Sequence, residues 1–109
     1  MKIDFATIPE SVLSQFKGGE GALRANMFFD GTNRIFKGRL TKGDSIGTHT
    51  HDTSSEIIYV LEGEGVMVWN GATEILRAGD CHYCKKGDTH TFRNEQDADL
   101  VFLAVVPEQ

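Results

Sequence analysis

From about residue 22 onward, apolar and polar residues alternate in short runs separated by turn-forming pairs, which restricts the chain to short β-strands. Strands are expected near residues 23–29, 34–41, 47–51, 55–61, 65–70, 73–77, 81–84, 89–94 and 99–106. Between them stand Asp30-Gly31, Lys42-Gly43-Asp44, Asn70-Gly71, Ala78-Gly79-Asp80 and Lys86-Gly87-Asp88. Asn70-Gly71 is the strongest hairpin signal, because a type I′ turn needs positive φ at both central positions. Only one helix is expected, over Pro9–Phe16, where a proline can occupy the first turn and apolar residues fall at 12, 13 and 16. Gly18-Gly19 would end it. Strands at this spacing point to a β-sandwich or barrel. The chain of 109 residues accommodates one such domain, with an N-terminal arm to about residue 22 and a barrel over about 23–106.

Strand 56–61 is apolar on both faces, with Ile58 and Val60 on one side and Ile57, Tyr59 and Leu61 on the other. The strand over 100–106 repeats this. One face therefore belongs to the core, and the other needs a cover, either the N-terminal segment or a second copy of the chain; a homodimer is the expected assembly. Net charge is −5 with no basic stripe, which argues against nucleic acid and anionic membranes as partners. The N-terminus has no apolar leader-like core, and no apolar run approaches membrane-spanning length. With only two cysteines, a cytoplasmic, reducing location is expected.

Chemistry concentrates in a few residues. His49 and His51 are two apart on an expected strand, so both imidazoles project from one face. Glu56 follows the polar tetrad Asp52-Thr53-Ser54-Ser55, and a hairpin there would return it opposite the histidine pair. His90 heads a later strand and shares its face with Phe92. Imidazoles with a carboxylate suit Mn, Fe, Co, Ni or Zn rather than Ca or Mg. Cys81-His82-Tyr83-Cys84 looks like a redox or zinc knuckle, but positions 81 and 84 face opposite ways on a strand, so the two cysteines are read as structural. The pattern does not decide whether His82 and Cys84 face inward, and a fifth-ligand role for His82 is the lesser alternative. Arg34 and Arg39 lie on opposite faces of one strand, so one of them could reach the barrel mouth and hold an anion, against the plainer reading of two solvated arginines.

Spaced together, these residues resemble the two motifs of the cupin superfamily. Gly43, His49, His51, Glu56 and Gly63 in GDSIGTHTHDTSSEIIYVLEG match the first motif, and Gly79, Gly87, His90 and Asn94 in GDCHYCKKGDTHTFRN match the second. The 15 residues between Gly63 and Gly79 resemble the short spacing of single-domain microbial cupins, and Lys85 stands where the family carries proline. The resemblance implies an all-β double-stranded β-helix, or jelly-roll barrel, here with a short N-terminal helical segment. It also implies one divalent transition metal on His49, His51, Glu56 and His90, with two coordination positions left for water or substrate. Asn94 is expected to stabilise a turn. Among such proteins the fold is shared by unrelated functions. The leading expectation is a metal-dependent enzyme of isomerase or epimerase type acting on a sugar or keto acid, with Glu56 as its catalytic residue. The alternatives are an Fe(II)-dependent dioxygenase and a non-catalytic module that binds or senses a small ligand.

Overall fold

The computed structural model describes residues 1–109 as ten strands in two antiparallel sheets. The strands are β1 (Ser11–Ser14), β2 (Ala22–Phe29), β3 (Arg34–Leu40), β4 (Ser45–Thr50), β5 (Glu56–Glu62), β6 (Glu64–Trp69), β7 (Ala72–Arg77), β8 (Cys81–Cys84), β9 (Thr89–Arg93) and β10 (Leu100–Val106). One sheet runs β1-β2-β3-β10-β5-β8 and the other β4-β9-β6-β7, and together they form a jelly roll. All nine expected strands are present, and Asn70-Gly71 makes the tight turn between β6 and β7, with φ of 47° and 81°.

The expected helix over Pro9–Phe16 is not formed. Ser11–Ser14 pairs with β2 in the register Ser11↔Ala25 to Ser14↔Ala22, and only 3-10 turns at Phe5–Thr7 and Phe16–Gly18 flank it. The reason is energetic. A helix of eight residues is marginal alone, whereas the open edge of β2 offers this segment a row of backbone partners. Strand geometry also suits its side chains, turning Leu13 toward the core while Val12 stays exposed.

Between the sheets lies one core built on Leu23, Phe36, Leu40, Ile58, Val60, Met67, Phe92, Leu100 and Phe102. Phe102 sits at its centre, edge-on to Phe36 at 6.2 Å and to Phe92 at 5.3 Å. The loop entering β4 is organised by the buried Asp44 carboxylate. It accepts hydrogen bonds from the Ala22 and Thr41 amides, the Thr41 hydroxyl and the Arg24 guanidinium. Burial pushes its carboxyl upward, but the Thr41 and Ala22 donors outweigh this and hold it below the ordinary value. Asn94 has the role expected of it: buried, it donates to the carbonyls of Leu40 and Ala98 and accepts from the Gln96 amide.

On the outer side of the larger sheet, the N-terminal arm reaches only β2 and β3, where Asn26 donates to the Ile8 carbonyl and Arg39 pairs with Glu10. Beyond it Ile57, Tyr59, Leu61 and Tyr83 remain 38–52% exposed. The arm is therefore not the cover for strand β5. No helix is long and apolar enough to cross a membrane.

Candidate metal centre

His49 owes its inward direction to a bulge. β4 pairs with β9 as Ile46↔Phe92 and then His49↔His90, so one extra residue is accommodated at Gly47-Thr48. An extra residue shifts the alternation by one, and here it exposes Thr48 and turns His49 inward, directly across from His90. Gly47 is required at the bulge because a methyl group there would strike the Lys17 carbonyl. His51 follows the end of β4, and its backbone is fixed on both sides by the 85–88 turn: its amide donates to Asp88 O at 3.0 Å and its carbonyl accepts from Gly87 at 2.7 Å. That turn carries Lys85 in place of proline, and it is closed instead by the Asp88 carboxylate, which accepts from the Lys85 amide and from Trp69 Nε1.

Glu56 begins β5, in the opposite sheet. The expected hairpin between the histidine pair and Glu56 is absent, because β4 pairs with β9 whereas β5 pairs with β10 and β8. Residues 51–55 cross from one sheet to the other. The crossing still delivers the Glu56 carboxylate to the imidazoles, from the facing side.

His49, His51, Glu56 and His90 thus converge on one point. Nε2 of His90 lies 3.0 Å from Nε2 of His51 and 3.2 Å from Nε2 of His49. Glu56 Oε1 is 2.9 Å from His90 Nε2, 3.1 Å from His51 Nε2 and 4.0 Å from His49 Nε2. Ligands at right angles on an ion with bonds of about 2.1 Å stand about 3.0 Å apart, and opposed ligands about 4.2 Å apart. The spacing therefore fits the donor atoms of a single metal ion, which His49, His51, Glu56 and His90 would hold together.

Hydrogen bonding at the far side of each ring supports the same geometry. His49 Nδ1 meets the Gly47 carbonyl at 2.7 Å, His51 Nδ1 meets Ser54 Oγ at 2.9 Å, and His90 Nδ1 meets His82 Nε2 at 3.1 Å. A carbonyl only accepts, so His49 carries its proton on Nδ1 and turns a lone pair inward. With His49 offering a lone pair beside the Glu56 carboxylate and two further ring nitrogens, the cluster calls for a cation or for shared protons at its centre. Burial pushes the Glu56 carboxyl upward, but the imidazoles of His51 and His90 override it and hold it at about 2.

Burial lowers His49 and His82 below the ordinary histidine value of 6.5, against the pull of the Gly47 carbonyl on His49 and of Glu74 on His82. A histidine depressed in the folded state contributes its full stability above 6.5 and loses it as pH falls through the folded value. Metal-free protein is thus expected to melt at steadily lower temperature as pH falls below about 6.5, and at nearly constant temperature just above it. Thermal unfolding in the presence of a chelator measures this, and a melting temperature that rises toward pH 5 would contradict it.

His49, His51 and Glu56 line a cavity of about 450 Å³, whose wall also includes Phe16, Met27, Arg34, Thr53 and Glu108, while His90 lies buried behind them. Arg34 therefore reaches the barrel mouth, its guanidinium 4.2 Å from the Phe29 ring centroid. Arg39 does not, being engaged outside with Glu10 and Asp99. In the strand Cys81–Cys84 the two sulfurs face opposite ways as expected: Cys81 is exposed, and Cys84 is buried, its thiol pushed up to about 12 by burial. His82 faces inward but stands behind His90, outside the group of four.

Gly47, Ser54 and the contact of His82 with His90 are absent from the reading of the sequence. For Ser54 and Gly47 a signal exists, since each lies two or three residues from the histidine it holds. For His82 there is none, because its contact depends on which face of β8 is inner.

Residues 36–106 match the family model described as a cupin domain. An oxalate-binding protein of Thermotoga maritima is 33% identical over 112 residues, covering 97% of this chain and 93% of the relative. Among solved structures, a protein from the same organism described as a predicted oxalate decarboxylase superposes with a TM-score of 0.92 at 30% identity, covering all of both chains. A cupin-superfamily sugar phosphate isomerase from Silicibacter pomeroyi superposes with a TM-score of 0.81 at 22% identity, over all of this chain and 76% of the other, a likeness of fold alone. The matched residues carry both halves of the histidine–glutamate cluster within one jelly roll, and the chain belongs to the cupin family.

Proposed function

We propose that this chain binds a divalent transition metal through His49, His51, Glu56 and His90, and uses it to hold a small chelating carboxylate of the oxalate class. The observation that carries the reading is the convergence of three Nε2 atoms and one carboxylate oxygen on a cavity whose wall includes Arg34. The metal set is Mn, Fe, Co, Ni or Zn, which imidazole and carboxylate ligands accept alike. A divalent ion there supplies an open Lewis-acid position at which two adjacent ligand oxygens can chelate.

The protein's own residues do the rest. Glu56 would balance part of the metal's charge, and a carboxylate committed to the ion as a ligand is not free to carry a proton. Its expected catalytic role is therefore subordinate in this reading. Arg34 stacks on Phe29 and, with Lys17, supplies the positive charge of a wall that also carries Asp52 and Glu108, so these two basic side chains are the ones placed to meet an anionic ligand. The oxalate-binding relative, aligned over nearly the whole of both chains, supports this ligand class above sugars.

Titration calorimetry with oxalate tests it. Metal-loaded protein is expected to bind one oxalate per chain, metal-free protein none, and Arg34→Ala to bind roughly tenfold more weakly. Oxalate consumption in the same samples would make the protein an enzyme on this ligand, whereas metal-loaded protein that ignores oxalate and binds a sugar phosphate would overturn the reading.

The assembly proposed with it is a homodimer through the outer face of β5 and β8. Register places Ile57 beside Tyr83 and Val105, and Tyr59 beside Leu103, making one apolar surface that the N-terminal arm leaves bare. Light scattering is expected to give a dimer at micromolar concentration and a monomer for Tyr59→Glu. A monomeric parent chain would remove this proposal.

A further inference from the structure

One buried polar side chain has no part in the reading above. His82 on β8 has only 3% of its side chain exposed, and a polar group so placed is costly unless its hydrogen bonds are made. Both ring nitrogens are engaged. Nδ1 lies 3.0 Å from Glu74 Oε1 on β7, and Nε2 lies 3.1 Å from His90 Nδ1. The two strands belong to different sheets, so this contact joins the sheets just behind the metal cluster.

The carboxylate end fixes the direction of the chain. Glu74 only accepts, so His82 donates from Nδ1 and offers a lone pair at Nε2. His90 must then donate from Nδ1, which commits that nitrogen and leaves Nε2, beside Glu56 and the other two imidazoles, as the nitrogen that can offer a lone pair to a metal. The rings of His82 and His90 lie at 21° to one another, with centroids 5.3 Å apart, so His82 also restrains the plane of the His90 ring. His49 and His51 take their support from a backbone carbonyl and a serine close in sequence. His90 alone depends on a second imidazole, and that support runs out to Glu74, whose side chain is 39% exposed.

We propose that His82 and Glu74 are positioning residues that lock the tautomer and ring orientation of His90, so that the affinity of the metal centre is set in part from the surface of β7. The proposal rests on the metal reading of the four-residue cluster.

Cobalt(II), added to the full chain and to variants, serves as the probe, with affinity, the d–d absorption spectrum and the imidazole 1H–15N correlations of the metal-free protein as readouts. His82→Leu is expected to weaken Co(II) binding by about 10–100-fold, alter the cobalt spectrum and convert His90 from the Nδ1–H form to a mixture of tautomers. Glu74→Ala should act in the same direction, and Glu74→Gln, which keeps an acceptor for His82 Nδ1, should restore most of the affinity. If His82→Leu does not fold, the partly exposed Glu74 position carries the test. Variants that lose thermal stability but keep parental affinity, spectrum and tautomer would overturn the proposal while leaving the metal reading intact. A parent chain that binds no cobalt would overturn both.

Discussion

His90→Ala is expected to abolish stoichiometric metal binding and, with it, the stabilisation that metal gives the folded chain. His90 Nε2 is within 3.2 Å of all three other donor atoms, so its loss opens the cluster from the middle. Loss of an outer-shell partner alone typically costs about 10–100-fold in affinity, and loss of a ligand should exceed that. A metal that binds only the native state at about a thousand times its Kd stabilises it by about 4 kcal/mol, or roughly 15 °C or more in a domain of this size. Differential scanning with and without added metal checks this. The parent should show the shift, and His90→Ala should melt at the same temperature in both. An equal shift in the variant would mean that the metal binds elsewhere.

Asp44→Ala is expected to produce the largest loss of stability from a residue outside the cluster. Its carboxylate receives four donors from three residues, Ala22 and Arg24 on β2 and Thr41 after β3, and lies almost wholly out of solvent. Removal leaves the Ala22 and Thr41 amides and the Arg24 guanidinium without their shared acceptor. Breaking a buried charged network of this kind costs about 3–5 kcal/mol. The melting temperature should fall by roughly 15–25 °C. Asp44→Asn keeps one acceptor oxygen and should lose less. Denaturant titration would show the difference, and an alanine variant within about 1 kcal/mol of the parent would mean that the loops hold β4 without Asp44.

The strands were legible because period-2 alternation and glycine turns act locally, and the cluster was legible because the spacing of His49, His51, Glu56 and His90 resembles the two cupin motifs. What escaped depends on pairing between distant segments. Pro9–Phe16 carries helix-like spacing, yet the free edge of β2 decides its conformation. The stretch from His51 to Glu56 reads as a hairpin, yet its two flanking strands join different sheets. The Gly47-Thr48 bulge leaves no periodic mark, although it is what aims His49 at His90. The inward face of Cys81–Cys84 follows from the partner that β5 provides, so the place of His82 could not be read from its own neighbours.

Anomalous diffraction from crystals grown with manganese tests the central claim most directly. One strong peak per chain is expected, bonded to Nε2 of His49, His51 and His90 and to a carboxylate oxygen of Glu56. A metal-soaked crystal with no peak among these four side chains, or with its only peak elsewhere on the chain, would contradict the account.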